Sequence, residues 1–495
     1  MTTAQPIEGR PLPGERAAHG SATGLVALAT LAAAAFGALL PSHPLEAMAV
    51  VCLVPLALTS PVISLGAILF LTVLVPFDLQ NQLAVGGGSG FPGLLLADLL
   101  LLVGLCRVAV LAFLGRLQTP NSLWVAFALV GAIAAALVYG VASGASASDA
   151  GFEARSAAFG VGGFILALPL LENATDRRRL YWVLLALGIA LGLWGIGQWI
   201  FDVHYGAGGD VGVRPGIDQI ASAGGGQLQG GLYAFPVAVI LSFALLLSRP
   251  GRSTNLFAPA ALVFGLNCVC VLLTYERTMW GAALIGCLIV TVRYGRQSLY
   301  AAGSLLAIGV AGLLLLTVIT PALPPAFGRV ASLASYQSDN SLRARKVESN
   351  AVIHAIRGHP LTGSGFGATT TWGEKDVFRT TTTNFSHNGY LWLAWKVGLP
   401  LALLFVAAIV AVALRAGRHR DDSDIAPLRI GSQAALFALL VVCVTFPAFN
   451  TLGITAVIGV MVAACVARTG PGRRRATPRG KSQLAMPPRV AASPG

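Results

Sequence analysis

Apolar runs of membrane-spanning length recur along this chain, separated by short polar joints and by one long polar segment. A helix needs about 20 apolar residues to cross a bilayer core, with a range of about 17–25. Candidate spans lie at residues 23–41, 45–60, 62–77, 92–107, 122–143, 156–172, 180–201, 229–248, 256–275, 278–293, 299–320, 390–414, 430–448 and 451–467. Three of these are short. The pattern predicts an all-α, polytopic membrane helix bundle of about 12–14 transmembrane helices with one large outer loop. It divides the chain into a disordered cytoplasmic tail (1–22), a transmembrane bundle of eleven helices (23–320), the large extracytoplasmic loop (321–389), C-terminal transmembrane helices (390–467) and a basic disordered cytoplasmic tail (468–495).

Composition excludes the soluble reading that the length alone would suggest. Of 495 residues, 55% are hydrophobic and 11% charged, whereas soluble domains carry about 25% charged residues. The seven cysteines lie in or beside apolar runs, with no disulfide or zinc-type spacing, and read as packing residues.

The net charge of +13 sets orientation and does not indicate a nucleic-acid partner. With a cytoplasmic N-terminus and every run crossing, Arg107, Arg116, Arg177, Arg178, Arg179, Arg249, Arg252, Arg293, Arg296, Arg415 and Arg429 fall inside, as does the basic tail. The short outer joints keep only Arg155, Arg214 and Arg277. That asymmetry is the positive-inside pattern. It predicts a multi-pass membrane protein with both termini on the cytoplasmic side, the basic tail resting on membrane lipids.

Two outer segments are too long to be mere joints. Residues 202–228 are glycine-rich and carry Arg214, in Val213-Arg214-Pro215-Gly216. Residues 321–389 are basic, and connections of this length in helical proteins usually carry structure or function. Within them, Val347, Ala351, Val352, Ala355 and Ile356 recur at helical spacing. Arg343, Arg345, Lys346 and Arg357 fill other positions, and Gly358 and Pro360 end the pattern. This predicts an amphipathic helix lying on the bundle or at the headgroups.

Basic charge outside suits an anionic ligand such as a phosphate or pyrophosphate, and equally suits a solvated loop surface. Arg277 stands in the tight outer turn Thr274-Tyr275-Glu276-Arg277-Thr278-Met279-Trp280. It reads either as a guanidinium forked onto phosphate oxygens or as one that snorkels to headgroups or pairs with Glu276. His387 lies where the loop re-enters the membrane, in Asn384-Phe385-Ser386-His387-Asn388-Gly389-Tyr390-Leu391. It suits a general base and equally a helix-capping residue. Asp98, within a span, is either functional or paired to a neighbouring helix. The single Asp-x-Asp, Asp422-Ser423-Asp424, sits among inner arginines and suggests no metal site.

Together these stretches resemble the O-antigen ligase and O-antigen polymerase superfamily. One resembling stretch is Glu276-Arg277-Thr278-Met279-Trp280; the other runs from Arg343 to Pro400 and holds Gly358-His359-Pro360-Leu361-Thr362-Gly363-Ser364-Gly365 and His387-Asn388-Gly389-Tyr390-Leu391. Arg214 looks like the family's other outer-loop arginine, although a glycine-rich stretch replaces the usual asparagine-containing surroundings. The resemblance implies a metal-independent, lipid-pyrophosphate-dependent glycosyltransferase with no cofactor. Its donor would be an undecaprenyl-pyrophosphate-linked glycan and its acceptor a glycan or glycolipid, with polysaccharide assembly proteins as further partners. It implies that Arg277 and Arg214 hold the pyrophosphate and that His387 activates the acceptor hydroxyl. Asn388, Arg343, Arg345, Tyr390 and Trp280 complete the expected substrate-binding set. A ligase reading is preferred over a repeat-unit polymerase; transport or a non-catalytic scaffold of polysaccharide export are the alternatives of another class.

Overall fold

The computed structural model describes residues 60–75, 80, 94–115, 120–201, 232–248, 254–274, 276–295, 299, 303, 340–374, 379–416 and 424–468. The N-terminal tail, the run at 23–41, nearly all of the runs at 45–60 and 299–320, the Arg214 segment and all but the first residue of the C-terminal tail lie outside the described residues.

The apolar runs form helices α1 (Pro61–Leu74), α2 (Leu96–Phe113), α3 (Pro120–Ala142), α4 (Ala147–Glu172), α5 (Ala174–Phe201), α6 (Ala234–Leu247), α7 (Phe257–Leu273) and α8 (Arg277–Tyr294). The loop contributes α9 (Asn340–Gly358) and the antiparallel hairpin β1 (Thr370–Glu374) and β2 (Arg379–Thr383). The chain continues as α10 (Gly389–Val397), α11 (Leu399–Ala416), α12 (Ala426–Val442) and α13 (Leu452–Val466). Among the described residues, five helices are long and apolar enough to cross a membrane, and five more are shorter and apolar. Several also turn apolar stripes outward: Leu284, Leu288 and Val292 on α8, four residues apart, are all exposed, as are Leu401, Leu403 and Leu404 on α11. Such faces are stable against lipid, and the chain is a multi-pass membrane protein of all-α architecture.

Small residues set the closest crossing. α13 packs along α4 where a side chain added at Gly459 would strike the Gly160 carbonyl. Close backbone approach through small residues is a typical way for helices to associate where lipid offers no hydrophobic contrast. The end of the bundle with the α4–α5 joint is tied by polar contacts. Arg177 donates to the Leu171 carbonyl (2.9 Å) and Tyr181 to the Asp424 carbonyl (2.9 Å), while Arg429 donates to the Ala467 carbonyl (2.8 Å).

At the opposite end, the run expected as one span from 390 to 414 is two helices. Gly398, at φ +83°, breaks it between α10 and α11, and a side chain there would collide with the Leu361 carbonyl. The break lets the loop dock onto α10. Ser364 donates its N–H to the Trp395 carbonyl (2.7 Å), and Leu399 donates its own to the Pro360 carbonyl (2.9 Å). α9 follows the expected amphipathic pattern, with Val352 and Ile356 buried, and packs against α10 and β1.

Candidate active site

The docked loop brings two buried carboxylates against basic side chains. Glu153 on α4 meets the Lys396 ammonium on α10 at 2.9 Å, both side chains fully buried. Glu153 also accepts the Gly367 N–H (2.6 Å), and Lys396 donates to the Ala368 carbonyl (2.6 Å). This pair fastens the loop to the bundle and has no access to solvent.

The second pair opens outward. Glu348 on α9 accepts from the His387 backbone N–H through one carboxylate oxygen and faces the His387 ring Nδ1 through the other, both at 2.6 Å. Glu348 is buried, whereas the His387 side chain keeps 21% of its surface. Burial pushes the Glu348 carboxyl up, but the hydrogen bonds and charge of His387, helped by Ser386, outweigh it. The pKa of Glu348 settles below the usual carboxylate value. An ionised carboxylate accepts only, so the proton of a neutral His387 sits on Nδ1 and the Nε2 lone pair is left to accept.

Aromatic rings frame the histidine. Phe385 meets its ring edge-on at 5.1 Å, and Phe446 lies at 6.4 Å. Phe446, in the α12–α13 connection, also carries the Arg345 guanidinium over its face at 5.2 Å and packs edge-on against Tyr233 at the start of α6. Beside it, Thr445 donates to the Thr278 hydroxyl at 3.0 Å, next to Arg277. Residues 445–446 thus gather α9, the re-entry segment and the starts of α6 and α8 at one end of the bundle.

The expected site residues divide accordingly. His387 and Arg345 share the Phe446 ring, and Arg277 begins the helix anchored to Thr445. Arg277 is half-buried at the first position of α8, where the partial positive charge of a helix N-terminus disfavours a cation. Helix stability therefore does not account for an arginine there. Asn388 caps α10, its side-chain oxygen accepting the Tyr390 and Leu391 N–H groups at 3.0 Å. The Tyr390 hydroxyl donates to the Leu440 carbonyl (2.5 Å) and the Trp280 indole to the Val271 carbonyl (2.7 Å). These three residues carry bonds that hold the site together. Arg343 lies on α9, its side chain outside the described residues, as is Arg214. Asp98 pairs with Arg155 at 3.1 Å.

Sequence reading missed Glu348, Phe446 and both members of the Glu153–Lys396 pair. Glu348 had a signal: it stands four and eight residues before Val352 and Ile356, an acid on the apolar stripe of α9. Phe446 had none, because an aromatic residue at the end of an apolar run is commonplace.

Fold and site together define a multi-pass membrane protein that presents a carboxylate-oriented histidine, with arginines nearby, at one end of its helix bundle. The O-antigen ligase family model matches residues 260–406, from α7 into α11. The match takes in Arg277, Glu348 and His387, and it supports membership of the O-antigen ligase superfamily, with ligase- or polymerase-type function in general. No curated protein matches the chain.

Proposed function

We propose that this protein transfers a glycan from an undecaprenyl pyrophosphate carrier to an acceptor hydroxyl on the outer side of the cytoplasmic membrane. The observation that carries this reading is the Glu348–His387 pair, which leaves a ring nitrogen free to accept a proton at a partly open edge. His387 acts as the general base. As the acceptor oxygen attacks the anomeric carbon, its proton passes to Nε2, and the bond from that carbon to the pyrophosphate oxygen breaks. The leaving pyrophosphate takes the electron pair, and Arg277, with Arg345 and Arg214, steadies the charge that develops on it. Glu348 holds the ring in the productive tautomer and stabilises the imidazolium that forms. A positioned base of this kind contributes about 10²–10⁴-fold in rate.

The test is surface polysaccharide in a deletion strain complemented with wild type, Arg277→Ala or His387→Ala at matched membrane levels. Wild type should restore long-chain glycan, and both variants should accumulate lipid-linked precursor. Accumulated full-length chains would mark a ligase and accumulated single repeat units a polymerase. Normal glycan from both variants would end the reading.

A further inference from the structure

The loop builds a second feature that has no part in the proposed bond-making step. A cleft of about 420 Å³ opens between the ends of α3 and α4 and the turn that follows α9. Its volume falls within the about 300–1,000 Å³ of small-ligand pockets. Its walls present the Tyr139 ring, the Ser143, Ser364 and Thr369 hydroxyls, the Asp149 carboxylate and the His359 imidazole. Tyr139 lines the cleft and is 41% exposed. The wall exists because the glycine-rich turn lies on the bundle: Gly365, at φ +83°, rests against Gly140 of α3, where a side chain on either would collide.

The charge of the cleft narrows its occupant. In the core, Lys396 is fully buried, committed to Glu153 and to the Ala368 carbonyl. Among the described residues, Asp149 is the carboxylate in the lining, and no lysine or arginine accompanies it there. A phosphate or an anionic headgroup would be repelled. A polyhydroxylated, uncharged ligand fits: its hydroxyls donate to Asp149 and exchange hydrogen bonds with the serines and threonine, and its apolar face lies on the Tyr139 ring.

Position makes the match specific. Ten residues of α9 separate Glu348 from Gly358, and at 1.5 Å per residue they span about 15 Å. The cleft thus lies one short helix away from the His387 edge, on the same loop. We infer that this cleft is a saccharide subsite that grips sugar units remote from the reacting bond; the inference rests on the proposed glycan transfer for its setting. The glycan held there belongs to the donor or to the acceptor.

The test separates the cleft from the chemistry. Full-length protein in detergent is titrated with lipid-free oligosaccharide released by mild acid from the host's own surface polysaccharide, with binding read by saturation-transfer NMR. Wild type and His387→Ala should bind alike. Tyr139→Ala and Thr369→Trp, which fills the cleft, should each weaken binding at least about tenfold, a shift of about 1.4 kcal/mol. Both variants should melt within a few degrees of wild type. In a transfer assay they should raise one KM with little change in kcat. A rise for the lipid-linked substrate assigns the cleft to the donor glycan, and a rise for the other substrate assigns it to the acceptor. Unchanged binding and unchanged KM values in both variants would overturn the subsite. Full transfer by His387→Ala would instead overturn the proposed reaction and leave the binding result standing.

Discussion

Two carboxylates meet the same loop, Glu153 from the bundle and Glu348 from the loop's own helix α9, and their surroundings give them opposite duties. Glu153 meets Lys396 in a fully dry contact, with further bonds to Gly367 and Ala368 closing the network. Glu348 is nearly as buried, but its partner His387 reaches the surface. A sealed ion pair can fix geometry and can do nothing else, because no substrate reaches it. A pair with one open edge fixes a ring and leaves that ring chemically usable. The comparison teaches that exposure of the basic partner, and not burial of the acid, separates the fastening from the site.

The largest effect should come from breaking the sealed pair. Glu153→Ala leaves a buried, uncompensated ammonium, which typically costs about 3–5 kcal/mol. Thermal unfolding in detergent should show a sharp fall, with Lys396→Met added to Glu153→Leu recovering most of it. Recovery of stability without recovery of transfer would show that the pair also shapes the site. Gly398→Ala should follow in size, since it forces a side chain into φ +83° and against the Leu361 carbonyl. Strain of this kind costs about 1–3 kcal/mol. The loop should loosen from α10, visible as faster proteolysis within residues 358–389.

The smallest effect is a pH dependence on the open pair. The folded-state pKa of Glu348 lies below its ordinary value of 4.5. Its contribution to stability is therefore fully present above that value and is lost as pH falls through the depressed folded pKa. The stability difference between wild type and Glu348→Gln should shrink as pH falls below about 4.5. A difference that does not shrink there would mean that the carboxylate is not held ionised by His387.

Much of this was legible in the chain, for physical reasons that also explain what was not. Hydrophobic runs report helices directly, because a bilayer demands both length and apolarity, and α9 was visible through the spacing of Val352 and Ile356. Gly398 split an expected span because a one-residue joint inside an apolar run leaves hydropathy almost unchanged. His387 and Arg277 stood out as polar residues at span ends. Their partners did not. Glu348 lies 39 residues from His387 along the chain, and Phe446 and Thr445 come from a connection between two later helices. Pairings of this reach are set by how helices pack, which local patterns do not encode.

The most direct test is the transfer rate of purified full-length protein with its lipid-pyrophosphate-linked glycan and acceptor, comparing wild type, His387→Ala and Glu348→Gln, each shown by a cooperative melting transition to be folded at the assay temperature. His387→Ala should lose about 10²–10⁴-fold in kcat. Glu348→Gln should lose at least about tenfold and no more than the histidine variant, because it acts only by holding His387, through its ring and its backbone N–H. Wild-type kcat in Glu348→Gln would contradict the account, since the carboxylate would then have no part in making His387 a base.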